Sequence, residues 1–197
     1  MKIQNCFCFN NTCEDFSKWL IELLGPVILG AKAGEIIGFP TFAPDYEQKM
    51  YYVKELFKDK KSIKYREIDM CGQCRKIFFY NPQKMDRVLS DSRIRKFLDI
   101  LDYPRHGDSE AIFDYFIEKM HTSSEFPHEI GIFLGYPLKD VMGFMGYGSL
   151  KLTKTHAWKV YGDTRISDTV YKEIREARDF MRSIIQDKSV CEILQVI

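Results

Sequence analysis

The chain has 197 residues, 45% of them apolar and 29% charged, with 29 basic against 28 acidic side chains and a net charge of +1. Those proportions are those of a globular protein, and at this length roughly 70% of the unfolded surface can be buried, so no disulfide or metal staple is needed. The near-neutral balance excludes an overall field that would draw the chain to nucleic acid or to an anionic membrane.

Residues 14–24 place Phe16, Trp19, Leu20, Leu23 and Leu24 on one helical face, and Pro26 and Gly30 are expected to interrupt that helix. Glu35 to Phe39 reads as a short strand closed by Pro40. Pro44-Asp45 opens a helix with Tyr46, Met50, Val53 and Phe57 on its apolar face. Ile63 to Met70 alternates as a strand, with a slip at Glu67 that suggests a bulge. Cys71-Gly72-Gln73-Cys74 is a tight turn, and Ile77-Phe78-Phe79-Tyr80 reads as a central strand buried on both faces.

Asn81-Pro82 caps and starts a helix running to about Leu101. Gly107-Asp108 starts the next, with Ala111, Ile112, Tyr115, Phe116 and Met120 as its stripe. Phe126-Pro127 begins a short helix that Gly135 ends, and Leu138, Val141, Met142 and Met145 mark another. Trp158 to Tyr161 is the last strand. Ile166, Val170, Ile174, Ala177, Met181 and Ile184 define a long final helix. The fold class that follows is α/β (α+β): a small mixed sheet of about four strands covered by about seven helices. One domain is expected over residues 1–197, with a Cys-containing segment at 1–13 and a tail at 188–197.

The start of the chain lacks the apolar core and cleavage site of a signal peptide, and no run of 18 apolar residues exists, so a cytoplasmic protein with reduced thiols is expected. Gly25 to Gly34 nearly reproduces a phosphate-cradling loop, but Ala31 stands where the lysine belongs and Ala33 follows Lys32, so no hydroxyl can reach magnesium. The remaining readings are a close backbone approach at the glycines, or Lys32 as a lone anion contact. Cys6-x-Cys8-x4-Cys13 and Cys71-x2-Cys74 give only one pair with metal-ligand spacing, so Cys71 and Cys74 are a metal or redox candidate against ordinary reduced thiols.

Phe126-Pro127-His128-Glu129 puts His128 and Glu129 at a helix start. The positive end of the macrodipole there favours the carboxylate and a neutral imidazole, which suits His128 as an acid–base group. The competing reading is a backbone-bonded histidine beside a capping glutamate. In Trp158-Lys159-Val160-Tyr161, Trp158 and Val160 share one face, leaving Lys159 and Tyr161 side by side on the other as a cation and a phenol.

The block from Pro127-His128-Glu129-Ile130-Gly131 through Phe133-Leu134-Gly135-Tyr136-Pro137 to Asp140-Val141 and Gly143-Phe144, followed by Trp158-Lys159-Val160-Tyr161-Gly162-Asp163, resembles an uncharacterised domain-of-unknown-function family of clostridia and related anaerobes. Pro26, Gly30, Lys32 and Gly34 resemble its N-terminal segment, and Tyr80-x-Pro82 and Tyr103-Pro104 fall in place. The resemblance covers roughly residues 20–185 and implies no assigned activity. Where the family pattern has His-Cys this chain has Leu23 and Leu24, and where it has Cys before Trp-Lys-Val-Tyr this chain has Ala157.

The expectation is a protein that binds a small anionic metabolite or cofactor, whose identity the sequence does not name. Lys32, Tyr136, Lys159 and Tyr161 are the binding groups, and His128 with Glu129 the candidate acid–base pair. Lys32, His128 and Lys159 are expected to approach one cleft edged by Tyr136 or Tyr161, with Glu129 or Asp140 as internal carboxylates. The alternatives are a non-catalytic adaptor, or a thiol-based metal or redox accessory protein built on Cys71 and Cys74. Neither nucleic acid nor a membrane is an expected partner.

Overall fold

The structure, a computed structural model, describes residues 13–71, 73–123 and 125–196. The side chains of Cys6, Cys8, Cys13, Cys71 and Cys191 lie outside what it describes.

Helix α1 (Cys13–Ile28) carries Glu14 and Asp15 in its first turn, where the macrodipole favours them, and buries Phe16, Leu20, Ile21, Leu24, Val27 and Ile28. It runs past Pro26. A proline in the last turn forfeits only its own N–H bond, and burial of Val27 and Ile28 carries the helix on to its end. Gly25 does not cradle an anion: a Cβ there would lie 2.7 Å from Met181 Cβ, so the glycine lets another helix pack against α1.

Strand β1 (Gly34–Pro40) is followed by α2 (Tyr46–Phe57), β2 (Lys64–Cys71) and β3 (Cys74–Tyr80). They form one sheet in the order β1-β3-β2, antiparallel throughout. Strand β3 is central, as its unbroken apolar run requires, and its alternation builds two cores. Ile77 and Phe79 join Ile37, Phe39 and the apolar faces of α1 and α2. Phe78 and Tyr80 join Ile36, Ile68 and the helices on the other face. The irregularity in β2 falls between Asp69 and Cys71, not at Glu67, because Glu67 keeps its place on the strand by pairing with Arg75 at 2.8 Å and Lys54 at 3.6 Å.

The helix expected from Asn81 to Leu101 is two, α3 (Pro82–Leu89) and α4 (Ser92–Ile100). Asn81 caps the first through Lys84 N at 2.9 Å, and Asp91 restarts the second by accepting Arg93 N at 2.8 Å. Then come α5 (Ser109–Thr122), capped by Asp108, the single turn α6 (Ile130–Phe133), and α7 (Leu138–Phe144).

Trp158–Tyr161 does not extend the main sheet. Strand β5 (Lys159–Tyr161) pairs antiparallel with β4 (Leu152–Thr155) in a separate two-stranded sheet, so the expected single mixed sheet is two antiparallel ones. Strand β4 went unread because almost all of it is exposed and no apolar alternation marks it. The long α8 (Arg165–Asp187) packs along α1, and α9 (Val190–Val196) buries Val190 and Ile193 in the α1 core. Among the described residues no helix is long and apolar enough to cross a membrane.

Candidate functional site: an apolar cleft with unpaired charges

The site forms where the segment ahead of α6, helix α7 and the β4–β5 hairpin meet. Pro127 starts the turn by accepting Ile130 N at 3.1 Å, and Gly131 receives Tyr136 N at 2.8 Å, which folds the 127–136 segment back on itself. Helix α7 is locked to β5 and α8 by Asp140, only 2% exposed. Its Oδ1 accepts Lys139 Nζ at 2.6 Å and Tyr161 N at 2.9 Å; its Oδ2 accepts Trp158 Nε1 at 2.9 Å and Ser167 Oγ at 2.6 Å. Gly143 lets Tyr161 lie flat on α7, since a Cβ at that position would collide with Tyr161 Cγ.

Between these elements lies a cleft of about 450 Å³. Phe126, Ile130, Val141 and Phe144 give it apolar walls, Tyr136 and Trp158 line it further, and His128, Lys159, Glu125, Thr155 and the already bonded Asp140 supply the polar groups. Trp158 and Tyr136 stack at 4.5 Å and 18°. Phe144 is half-exposed and bracketed: the His128 ring meets it edge-on at 5.4 Å, and Lys159 Nζ stands 5.5 Å from its centroid. Among the described residues neither the His128 nor the Lys159 side chain has a protein hydrogen bond or ion pair.

Of the residues picked out in the sequence, His128, Tyr136 and Lys159 are brought together in this cleft. Lys32 stands behind it: its ammonium is 5.4 Å from the Tyr136 centroid, 5% exposed, and bonded to Glu35 Oε2 at 2.8 Å. Burial disfavours that charge, yet Glu35 and Tyr136 outweigh burial and hold the Lys32 pKa above its ordinary value. Lys76 Nζ stands 5.3 Å from the Phe126 centroid, so three of the aromatic rings around the cleft each carry an ammonium.

Glu129 turns away from His128. Its Oε1 accepts Tyr103 Oη at 3.0 Å and Lys119 Nζ at 2.5 Å, in the buried layer against α5. Tyr161 lies on Gly143 rather than at the cleft edge, and its carbonyl accepts Lys139 Nζ at 2.8 Å. Cys74 Sγ donates to the Arg75 carbonyl at 3.9 Å, and among the described residues no cluster of three His, Cys, Asp or Glu is placed to hold a metal ion.

A family model for proteins of unknown function, DUF3793, matches residues 20–195. The chain belongs to that family. The DUF3793 match spans every segment that builds the cleft, from Lys32 behind it to Lys159 in it. No curated protein and no solved structure matches the chain. Of the cleft residues of this DUF3793 chain, Thr155 and Glu125 stand in no motif, and Phe144 stands in the family block without being among the expected binding groups. Phe144 did carry a signal: it falls off the Leu138, Val141, Met142 and Met145 stripe, so an aromatic ring leaves the core face.

Proposed function

We propose that the protein binds a small organic carboxylate with an apolar body, the body against Phe126, Ile130, Val141 and Phe144 and the carboxylate on Lys159. His128 sits beside that head group, where its imidazole can donate a hydrogen bond or carry a proton. The observation that supports this reading is the pair of unpartnered polar groups, His128 and Lys159, bracketing Phe144 in a cleft with apolar walls. Lys76 on the Phe126 ring adds positive potential beside the cleft, and no carboxylate forms an ion pair with Lys159 among the described residues.

Titration calorimetry with hexanoate and 3-phenylpropionate tests the reading. Binding by the wild type, weakened about tenfold or more by Lys159→Met, is the expected result, the size of one charge-assisted hydrogen bond. His128→Ala should weaken binding while leaving the apo melting temperature almost unchanged, since the ring is exposed. Failure of both carboxylates to bind, or equal binding by Lys159→Met, overturns it.

A further inference from the structure

The same cleft carries a charge of the opposite sign that the carboxylate reading leaves unused. Glu125 lines it together with Lys159, and the two do not form an ion pair with each other. Among the described residues neither has any other charged partner. That contrasts with charges close by in the fold. Lys154 pairs with Asp168 at 2.6 Å, Lys139 with Asp140 at 2.6 Å, and Lys119 with Glu129 at 2.5 Å.

Two opposite charges that share one cleft without touching leave a gap. A molecule bearing both signs bridges it, its anionic end toward the lysine and its cationic end toward the glutamate. Phe126, Ile130, Val141 and Phe144 then cover whatever lies between, and they have no polar group to offer it. Lys159 now rests its ammonium on the Phe144 ring, a weak contact at an exposed site, so a carboxylate readily draws it off. A cleft of about 450 Å³ is roomy for one amino acid and admits a dipeptide, whose two residues extend over roughly 7 Å.

We propose that the ligand is an apolar zwitterion, a free amino acid or short peptide with a hydrophobic side chain, its carboxylate on Lys159 and its ammonium on Glu125. This rests on the carboxylate reading and adds Glu125 as the residue that selects for the amine. An uncharged amine or a bare cation fits less well, because one of the two charges in the cleft then stays unmatched.

The test is calorimetry with four probes: L-phenylalanine, L-phenylalanyl-L-leucine, 3-phenylpropionate and 2-phenylethylamine, against the wild type and Glu125→Gln. The better zwitterion should bind the wild type about tenfold more tightly than 3-phenylpropionate, the low end for a charge-assisted hydrogen bond. It should also outbind 2-phenylethylamine. Glu125→Gln should remove the advantage over 3-phenylpropionate and leave 3-phenylpropionate itself bound as well as before. Equal binding of 3-phenylpropionate and the better zwitterion by the wild type overturns the proposal while the carboxylate reading stands. An advantage that survives in Glu125→Gln also overturns it. Binding of 2-phenylethylamine alone, or of none of the four, overturns this proposal, and overturns the carboxylate reading as well when hexanoate also fails to bind. The wild-type comparison stands whether or not the variant folds.

Discussion

The Trp158 indole donates Nε1–H to Asp140 Oδ2 at 2.9 Å, and through that bond the wall of the cleft is held by a carboxylate whose ion pair is with Lys139. Asp140 binds Trp158 and Tyr161 of the β5 segment, Ser167 of α8 and Lys139 of its own helix at once. Asp140→Ala leaves an indole N–H, a hydroxyl and a backbone N–H without their acceptor. Removing one member of a buried charge network costs roughly 3–5 kcal/mol. Chemical denaturation should show that loss, with Asp140→Asn falling between the two because it keeps one acceptor oxygen.

Gly143→Ala tests the same seam from the packing side. Its Cβ would press on the Tyr161 ring, so either the ring or α7 must move. Overpacking of this kind costs roughly 1–3 kcal/mol. The expected result is a lower denaturation midpoint with an unchanged m-value; no change in midpoint would show that the Tyr161 ring swings out freely.

The buried pair of Lys32 and Glu35 gives a third expectation. Lys32→Met strips the Glu35 carboxylate of its ammonium in a site where both are nearly covered. The loss should be roughly 3–5 kcal/mol. Lys32→Met with Glu35→Gln, which removes both charges, should recover part of it. A double variant no more stable than the single one would mean that Glu35 does not depend on Lys32.

Tyr103 and Glu129 can be tested by one atom. Burial, then the Glu129 carboxylate beside it, push the Tyr103 phenol well above its ordinary value, so it stays a neutral donor at every working pH. Tyr103→Phe removes only that hydrogen bond to a charged acceptor, and a loss of roughly 1.5–3 kcal/mol is expected in thermal or urea unfolding. A stability unchanged by the substitution would show that Lys119 alone satisfies Glu129.

Asp91 supplies a pH dependence. The Arg93 side chain, then the Arg93 backbone N–H, hold its carboxyl at about 2 against an ordinary 3.8. A folded-state pKa that is depressed gives stability fully present above 3.8 and lost as the pH falls toward 2. Asp91→Ala should cost about 1 kcal/mol at neutral pH, as loss of an N-cap does. The gap between wild type and variant should narrow below pH 3.8. Melting temperatures of the two proteins measured across that range check both statements.

How much of this was legible in the chain itself differs by element. The four apolar residues Ile77 to Tyr80 announced a strand covered on both faces, and the fold puts them at the centre of the sheet with a core on each side. Local chemistry is enough for that, because side-chain alternation follows from strand geometry alone. Asn81-Pro82 and Gly107-Asp108 likewise marked helix starts, since caps are read within four residues. The break at Asp91 carries the same signal, an aspartate that caps the helix after it.

Sequence likewise brought out His128, Lys159 and Lys32 as polar groups in apolar surroundings, but it had no means of saying which of them share a space. That was decided by burial and packing in the tertiary structure. Lys32 found Glu35 three residues on and was sealed behind Tyr136. Glu129 found Tyr103 and Lys119, while its neighbour His128 stayed in the cleft. Buried charges need partners, and whether a charge is buried at all depends on packing across the fold, so tertiary structure settled which charges were consumed by the core and which two, Lys159 and Glu125, were left in the cleft.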